Sequence, residues 1–555
     1  MLDRGTQLRM AYTAMLLRGY QRRMDDAAGV LAAFEALLRD PRATQEATLR
    51  AILGRNAATE YGRRHRFDEV SGHEDYRARV PVVSYDDLSP FVQRMLAGEP
   101  DVLVAGVASY FCTTSGSSAA PKFIPGTQQG ILAGGEGILA RNAYLRRDHP
   151  AAFAGRPLFV VGSAAEGRTQ AGVAYGAMTG FGYHIGHAGF RGRPFPYEVF
   201  TLADYATRYH CILRLALAAA DLSAVFVYNP STLLLLLQTA RRDWDGLVDD
   251  IEAGRLRPGL ELPDEVRAAL EPALVADPER ARALRPLRDH GPRAWWPGLA
   301  ALLCWKGGSA GFYLDDLRAQ LDGLPVRDLG IVASEAMLTL AVDDETAGGV
   351  LIPTTGFFEF VPAQGDEDAP ALGCWELERG GEYRVLVTTH GGLYRYDLGD
   401  VVRVERRHFE MPVLSFLQRA GRVYSFTGEK LTETQVTLAV RAAANACGLA
   451  LAGFTTAPTW GRPPRYEVRA EVAGGPGPAE CRRFAGLIES ELQAVNIEYA
   501  SKRDSGRLER VGLVLVKPGS FEKLRRERGQ DAQYKETHLL PAAATACEMD
   551  VVASY

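Results

Sequence analysis

Short β-rich runs alternate with helical stretches from about residue 101 onward, and this alternation constrains the fold more than any other feature. Strands that alternate with helices build parallel sheets that are covered by those helices. The sequence therefore predicts a large α/β unit. The runs that indicate its strands are Val102–Ala105, Leu158–Val161, Ala224–Tyr228 and Leu329–Ala333.

The regions on either side of these runs follow other patterns. Residues 1–100 place apolar residues at three- and four-residue spacing, which is typical of helices. Residues 350–416 contain strand and turn patterns with little helix, which indicates a small β subdomain. From Glu433 onward helices and strands mix again, over enough chain for a separate domain. We expect an N-terminal domain at 1–427, a hinge at 428–432 and a mobile α+β domain at 433–555.

Composition excludes several classes of protein. The 555 residues carry 63 basic and 68 acidic side chains, a net charge of −5, so nothing favours nucleic-acid binding. The hydrophobic fraction of 47% is typical of a globular protein. Seven cysteines without a CxxC pair argue against a disulfide scaffold and a zinc finger.

The sequence predicts neither a targeting segment nor a membrane-spanning segment. The N-terminal residues indicate an amphipathic helix rather than a signal peptide. The longest apolar region, Ile212–Leu237, is interrupted by Arg214, Asp221 and Pro230, so we predict a buried helix–strand–helix instead of a membrane span. We expect a cytoplasmic monomer that acts on small molecules.

Lysine is scarce in this chain. Seven of the 63 basic residues are lysines and the other 56 are arginines, a bias that suggests a GC-rich, bacterial coding sequence. An ammonium group is a compact point charge, whereas a guanidinium group is a planar fork. Each lysine is therefore a candidate for a position where a point charge is needed.

The first candidate site is the segment Thr113–Lys122, TTSGSSAAPK, which follows an apolar run. Backbone N–H groups and hydroxyls of such a turn can hold phosphate oxygens, and Lys122 adds positive charge. The segment does not match a Walker A loop. The alternative is a serine-rich surface loop.

Two carboxylates follow strand-like runs. Glu335, after Ser334, stands where an α/β sheet can place a metal–phosphate site, whereas the alternative is a helix N-cap serine with a glutamate in the first turn. Asp400, after Gly399, is predicted in a turn between two strands, where it can accept hydrogen bonds from a ribose diol. The alternative is a plain hairpin turn.

Lys430, beside Glu429, and Lys535, in QYK, are two further candidates. Taken singly, both are interpreted as solvated charges.

A competing motif supports a different chemistry. Gly307–Gly311 fits G-x-S-x-G between a strand-like and a helix-like run, which is the context of a nucleophile elbow. A serine hydrolase with Ser309 as nucleophile is therefore a second hypothesis, and a glycine-rich structural turn is the alternative. The candidate bases are His390, His408 and His538.

In their order along the chain, these motifs resemble the auxin-responsive Gretchen Hagen family of acyl acid–amido synthetases, a branch of the adenylate-forming (ANL) superfamily. TTSGSSAAPKFIP is similar to the family's first nucleotide motif, IVASE to the second and YRYDLGDVVRV to the third. The stretches VPVVSYDDLSPFVQRMLAGEP and NIEYASKRDSGRL also resemble the family. The resemblance covers roughly residues 45 to 540, and its specificity lies in the order and spacing of the motifs.

The resemblance implies an α/β fold of the ANL type, with a large N-terminal domain and a small mobile C-terminal domain. It implies ATP and Mg²⁺ as cofactors. A carboxylic acid would attack the α-phosphorus of ATP to give an acyl-adenylate and pyrophosphate. An amine, usually of an amino acid, would then displace AMP. Thioester formation and nucleotide binding without turnover are alternatives, and the family reading makes the Ser309 hydrolase less favoured.

The resemblance also assigns roles to individual positions. Lys122 would neutralise charge on the departing pyrophosphate, Glu335 would help to hold Mg²⁺, and Lys535 would swing over the adenylate. The remaining assignments are Thr114, Ser115, Gly116, Ser117 and Ser118 for phosphate, Gly307, Gly308 and Ser309 for the adenine wall, Ser334 for the α-phosphate, Asp400 with Arg403 for the ribose, and Lys430 for the hinge.

The acyl pocket is implied near 142–147 and 173–181. Arg141 or Arg146 would meet the carboxylate of the acid, and the alternative is an arginine on a solvated helix face. Ile331 and Val332 stand where many relatives carry an aromatic residue that stacks on adenine, so we expect stacking elsewhere or weaker stacking.

Overall fold

The computed structural model describes most of the chain. The described residues are 19–115, 121–192, 195–307, 310, 314–363, 370–419, 423–424, 426–521, 523, 538–540 and 549–555. The backbone divides into two compact units, the first within Met1–Thr114 and Phe123–Gln418, the second within Ser115–Lys122 and Arg419–Tyr555.

Most of the described part of the first hundred residues is helical. The carboxylate of Asp40 caps one helix by accepting the N–H of Ala43, and Pro41 takes the first helical position, where its missing N–H is not needed. Residues 19–25 are helical, and the following helices are α1 (Ala27–Leu37), α2 (Pro41–Asn56), α3 (Glu60–Arg64), α4 (His73–Arg79) and α5 (Tyr85–Leu96).

Three sheets contain the described strands of the first unit. The strands are β1 (Tyr110–Ser115), β2 (Pro121–Gly126), β3 (Arg156–Val160), β4 (Gly167–Arg168), β5 (Ala174–Gly176), β6 (Leu222–Val227), β7 (Ala301–Cys304), β8 (Val326–Asp328), β9 (Thr339–Leu340), β10 (Gly349–Leu351), β11 (Gly356–Pro362), β12 (Leu372–Gly373), β13 (Glu382–Thr389), β14 (Tyr396–His408) and β15 (Met411–Arg419).

The parallel sheet has the order β3-β6-β7-β8, and every described pairing in it is parallel. All six residues of β6 are buried, as expected for a strand covered by helices on both faces. Parallel strands place their carboxyl ends at one edge, where α/β proteins bind ligands. The helices of this region are α6 (Gln128–Asp148), α7 (Met178–Phe181), α8 (Tyr183–Gly186), α9 (Tyr205–Ala218), α10 (Pro230–Arg242), α11 (Trp244–Ala253), α12 (Asp264–Leu270), α13 (Pro278–Leu284), α14 (Pro292–Trp295) and α15 (Leu314–Arg318).

The other two sheets of the first unit both contain antiparallel pairings. One has the order β2-β1-β5-β4, with β1 and β5 parallel and β4 and β5 antiparallel. The other has seven strands in the order β12-β11-β13-β14-β15-β10-β9. This second sheet accounts for the strand-rich pattern of residues 350–416.

A buried ion-pair cluster connects the helical region to the seven-stranded sheet. Glu359 on β11 is 1% exposed, and its carboxylate accepts hydrogen bonds from Nε of Arg395 at 3.0 and 3.1 Å. Its Oε1 also lies 3.1 Å from Nε2 of His73 on α4. Glu359 is thus a structural anchor between α4 and the seven-stranded sheet.

Removing this charge should destabilise the protein strongly. We expect Glu359→Gln to lower the free energy of unfolding by about 3–5 kcal/mol, because a buried guanidinium loses its counter-ion. Glu382→Gln is the matched control, since Glu382 forms an exposed pair with Arg403 and should cost less than about 1 kcal/mol. Urea-induced unfolding of the full chain measures both, and equal shifts for the two variants would contradict the anchor role.

The second unit mixes helices and strands. Its larger sheet has the order β18-β19-β20-β21 and a two-stranded ladder joins β16 and β17. The glycine Gly448 ends the first helix of this unit in the left-handed conformation, at φ 69°. The elements are β16 (Val423–Tyr424), β17 (Leu431–Thr432), α16 (Glu433–Cys447), β18 (Leu451–Thr459), β19 (Arg465–Val472), α17 (Pro478–Val495), α18 (Ile497–Asp504), β20 (Gly512–Val516) and β21 (Val551–Ser554).

The prediction of a strand at Val102–Ala105 is wrong, because this run is a loop in which residues 102–104 are buried and Ala105 is exposed. Its backbone groups bond to other elements: the carbonyl of Val102 accepts from the N–H of Tyr61, and the N–H of Ala105 donates to Oδ1 of Asn56 at 2.9 Å. The hydroxyl of Tyr394 donates to the carbonyl of Leu103 at 2.6 Å. Buried backbone groups need hydrogen-bond partners, and here one backbone N–H and two side chains supply them in place of a neighbouring strand.

The prediction at Leu329–Ala333 is also wrong. Strand β8 ends at Asp328, and Gly330 takes φ 83°, which turns the chain out of the sheet. Beyond this point an isolated bridge joins Val332 to Met337.

The apolar region 212–237 contains the end of α9, strand β6 and most of α10, so the predicted buried helix–strand–helix is confirmed. Among the described residues, no helix combines the length and apolar character that crossing a membrane requires.

Candidate functional site

An apolar cavity of about 150 Å³ lies at the carboxyl edge of the parallel sheet. Phe159 and Val161 reach it from the end of β3, and Phe226 and Tyr228 from the end of β6. Leu329 lines it just after β8. The position agrees with the general rule that α/β sheets bind ligands beyond the carboxyl ends of their strands.

One face of helix α6 forms a wall of this cavity. The lining residues recur at three- and four-residue intervals, which is the spacing of one helix face. At Gly134 a Cβ atom would meet no atom within 4 Å, so this position leaves open space beside the helix. At Gly135 a Cβ atom would lie 2.1 Å from the hydroxyl oxygen of Tyr20, so this glycine lets Tyr20 pack against the helix. The lining positions of this helix and its N-cap are Thr127, Gly130, Ile131, Gly134, Gly135, Ile138 and Arg141.

Arg141 brings a buried cation to the cavity. Its side chain is 5% exposed, its guanidinium lies 5.1 Å over the ring of Phe226, and Nη2 donates to Oδ1 of Asn142 at 3.0 Å. No carboxylate among the described residues forms an ion pair with it. Burial lowers the pKa of Arg141 to about 10. A buried guanidinium without a counter-ion is suited to bind an anionic ligand.

Arg146, the other predicted arginine, has a different environment. It lies in the last turn of α6, and its Nη1 donates to the backbone carbonyl of Met24 at 2.6 Å. It does not line the cavity. The structure therefore separates two arginines that the sequence presents as equivalent.

Ser334 and Glu335 line the cavity from the loop after β8. The alternative of a helix N-cap is wrong, because residues 333–336 form a turn closed by a bond from the N–H of Ala333 to the carbonyl of Ala336. Glu335 is 8% exposed, and within the described part of the chain its Oε2 has no hydrogen-bond partner. The Oγ of Ser334 donates to the carbonyl of Thr113 on β1.

The predicted turn at Gly399–Asp400 is a bulge within one strand, not a turn between two. The pairing of β13 with β14 jumps from Leu386–Asp397 to Arg384–Val401, so three residues of β14 stand opposite one. Gly399, at φ 70°, permits the bulge, and its N–H donates to Oδ1 of Asp397. Asp400 is buried at this irregularity.

Arg403 lies farther along β14, opposite Glu382 in the register, and pairs with it at 2.5 Å. The Glu382 carboxylate raises the pKa of Arg403. The side chain of Arg403 is therefore bound to Glu382 at the surface of the sheet.

The structure describes the predicted phosphate segment only in part. Lys122 is half-buried on β2, and Thr114 and Ser115 end β1. Gly116, Ser117 and Ser118 lie outside the described residues. Gly308, Ser309 and Lys535 also lie outside them, so the structure does not test the adenine wall, the hydrolase hypothesis or the swinging lysine.

Gly307 follows β7, and a Cβ atom there would lie 3.2 Å from the carbonyl oxygen of Phe416. Lys430, in the second unit, adopts a positive φ of 41° beside Gly428 at 106°. The buried carboxylate of Glu429 accepts the N–H groups of Phe426 and Thr427 and the hydroxyl of Tyr466. The predicted hinge segment therefore contains a well-bonded turn.

Two features of the cavity were not predicted from the sequence. His390 was named only as a base for the hydrolase, but it lines the cavity, where its Nε2 lies 3.1 Å from the carbonyl oxygen of Thr354 and burial lowers its pKa. The glycine-rich face of α6 was also missed. The signal that could have indicated this face is the run of small residues at helical spacing that ends in an arginine.

Family models and similar proteins agree with this architecture. Three models match the chain: GH3 family N-terminal domain at residues 30–326, central domain at 349–419 and C-terminal domain at 434–543. The solved structure of AtGH3.15 acyl acid amido synthetase in complex with 2,4-DB has a TM-score of 0.68 and 22% identity, and the match covers 96% of this chain and 97% of that one. It supports the shared α/β fold with a large N-terminal and a smaller C-terminal region.

Curated relatives match over nearly the same length. Indole-3-acetic acid-amido synthetase GH3.8 of Oryza sativa subsp. indica is 29% identical, over 87% of this chain and 85% of its own. Jasmonoyl--L-amino acid synthetase JAR6 of Nicotiana attenuata is 27% identical, over 92% of both chains. Because the N-terminal family model alone matches more than half of the sequence, with the other two following in order, this chain belongs to the GH3 family.

Proposed function

We propose that the protein is an ATP-dependent acyl acid–amido synthetase. It would join a carboxylic acid to ATP as an acyl-adenylate, release pyrophosphate, and transfer the acyl group to the amine of an amino acid. The observation that carries the proposal is the buried, carboxylate-free guanidinium of Arg141 in an apolar cavity that also contains Glu335. The relatives described above are amido synthetases of acids and amino acids by name, which supports the same chemistry.

Arg141 would bind and orient the carboxylate of the acid, while the apolar walls hold the remainder of the molecule and exclude water. Attack of a carboxylate oxygen on the α-phosphorus forms the acyl–phosphate bond and releases pyrophosphate with the electron pair of the broken bond. Such a step needs positioning and charge neutralisation more than covalent catalysis. We propose that Ser334 would contact the α-phosphate, Lys122 the pyrophosphate and Asp400 the ribose, as the family resemblance implies.

Glu335 is the residue of the cavity whose chemistry is suited to the Mg²⁺ that would accompany ATP. Its buried Oε2 has no donor among the described residues, as expected of an oxygen reserved for a cation or for water bound to one. The described residues contain no group of three or more His, Cys, Asp or Glu that could hold a metal by themselves. A magnesium ion would therefore be held mainly by phosphate oxygens, with Glu335 as the protein ligand, and would neutralise phosphate charge.

In the second half-reaction the amine nitrogen attacks the acyl carbon, the mixed anhydride bond breaks, and AMP departs. AMP is a good leaving group, so we assign no dedicated general base.

We also propose that Lys535 acts in only one of the two half-reactions, and that residues 428–432 are the hinge of a mobile C-terminal domain. We propose that the protein is a cytoplasmic monomer without nucleic-acid or membrane partners and that its source is bacterial. The charge balance, the scattered cysteines and the arginine bias support this proposal.

The size of the cavity predicts the class of acid. A cavity of about 150 Å³ is comparable to one that holds a single benzene ring. We expect benzoic acid to have a kcat/KM at least about tenfold above that of 2-naphthoic acid, which differs by one fused ring, because the second ring must displace packed side chains. Equal or higher values for the two-ring acid would contradict this size limit.

Acid-dependent exchange of labelled pyrophosphate into ATP tests the adenylation, and mass spectrometry of products with the amino acids tests the transfer. Coenzyme A in place of amino acids distinguishes thioester formation. No exchange with any acid of a broad panel would contradict the proposal. Fluorophosphonate labelling that disappears in Ser309→Ala would instead support the hydrolase.

A further inference from the structure

The carboxylate of Asp328 connects the loops that follow two neighbouring strands. Asp328 is the last residue of β8 and pairs in register with Cys304, the last residue of β7. Its Oδ2 accepts the backbone N–H of Lys306 at 2.7 Å, and its Oδ1 accepts the backbone N–H of Gly330 at 2.6 Å. Each oxygen therefore holds the first residues of a different loop.

Other bonds hold the same two loops. The indole N–H of Trp305 donates to the carbonyl of Gly330 at 3.1 Å, and Nζ of Lys306 donates to the carbonyl of Asp344 at 2.5 Å. Gly330 has φ 83°, and a Cβ atom there would lie 2.1 Å from the carbonyl oxygen of Thr339. The loop after β8 is therefore fixed in one conformation.

These loops lead to the positions assigned to the nucleotide. The loop after β8 supplies Val332, Ser334 and Glu335 to the cavity, and the loop after β7 begins the glycine-rich segment at Gly307. Asp328 itself is 3% exposed and does not line the cavity. Any effect of Asp328 on a ligand must therefore act through the two loops.

We propose that Asp328 is a positioning residue for ATP, whose ionised carboxylate sets the spacing of the two nucleotide loops. The inference rests on the proposed function and extends it to a residue outside the cavity. Ionisation matters because both oxygens accept a backbone N–H. A protonated carboxyl group, or an asparagine amide, would direct a hydrogen-bond donor at one of those N–H groups.

The charges around Asp328 support a pH-dependent role. Burial raises the pKa of Asp328 to about 6. The two backbone N–H groups and the charge of Lys306 act in the opposite direction and lower this pKa. Burial also lowers the pKa of Lys306 and raises that of the neighbouring Cys304 thiol, and the other charged groups facing this pair are Asp344 and Arg318. Asp328 therefore loses its charge as the pH falls through about 6, and the KM for ATP should rise there.

The test compares Asp328→Asn with Asp250→Asn, a buried carboxylate of the same unit that pairs with Arg255 and His210 away from the cavity. In acid-dependent pyrophosphate exchange, we expect Asp328→Asn to raise the KM for ATP about tenfold and the KM for the acid less than about twofold, since the amide keeps one of two bonds. In the wild type, protonation of Asp328 should raise the KM for ATP below pH 6, and this rise should be absent from Asp328→Asn. The titration of ATP itself affects the wild type and the variant equally. Asp250→Asn should keep the wild-type KM values and pH profile.

Unchanged KM for ATP in a folded Asp328→Asn protein would overturn the inference, as would equal rises in both KM values. Absence of exchange in the wild type would contradict the proposed function instead, so the two failures are distinguishable. If Asp328→Asn does not fold, Trp305→Phe removes the second bond between the loops without changing a charge. We then expect a KM for ATP raised about threefold with unchanged KM for the acid, and no change would overturn the inference.

Discussion

Replacing Arg141 with methionine should lower kcat/KM for the acid by about 100-fold, with a much smaller effect on the KM for ATP. The guanidinium is buried in the cavity, and none of the described carboxylates neutralises it. An incoming carboxylate would therefore provide its missing counter-ion. Methionine fills a similar volume and removes the charge, so the loss reports on the charge-assisted bond rather than on an empty space.

Arg146→Met is the matched control for this experiment. Arg146 lies on the same helix, and its guanidinium bonds to the carbonyl of Met24 outside the cavity. It should change kcat/KM less than about threefold, apart from any loss of stability seen in the melting temperature. Similar losses in both variants would show that the arginines act on the fold of α6 and not on the acid.

Replacing Glu335 with glutamine should lower the rate of pyrophosphate exchange by at least about 100-fold. The buried Oε2 of Glu335 has no hydrogen-bond partner among the described residues, so this oxygen forms no described hydrogen bond that holds the fold. An amide has nearly the same shape and lacks the negative charge. We therefore expect the melting temperature to stay the same or rise while activity falls.

Glu345→Gln serves as the control, because Glu345 lies exposed in the segment that follows β9. The measurement is exchange at several Mg²⁺ concentrations, with the loss in Glu335→Gln reduced as Mg²⁺ increases. An unchanged rate in Glu335→Gln would remove Glu335 from the nucleotide site. A loss of activity together with a large loss of stability would indicate a structural role.

The regular elements near the site were largely predictable from sequence. Strand β6 and the helices beside it were expected because an apolar run between helical patterns must be buried. The failures occurred where side chains replaced a strand's backbone partners, as Asn56 does for Ala105, or where a glycine at positive φ redirected the chain, as at Gly330. A local sequence window around Ala105 does not contain Asn56, because the two residues lie 49 positions apart. The window around Gly330 contains the glycine but does not show that its φ is positive.

The β14 bulge is a further example. The dipeptide Gly399–Asp400 has the composition of a turn, but the flanking residues continue to pair with β13 on both sides. Whether a glycine makes a turn or a bulge depends on the neighbouring strand, which the dipeptide does not encode.

By itself, the sequence determined the α/β class, because that class follows from local periodicity. It also contained the ordered motifs that resemble an adenylate-forming family. Only the tertiary structure decided which polar groups face the cavity. Arg141 and Arg146 lie on one helix with the same chemistry, yet one is buried against Phe226 and the other bonds to Met24. Helix periodicity gives the direction of each side chain, whereas its dielectric environment and its partners come from elements distant in sequence, and these set whether a charge is free to bind a ligand.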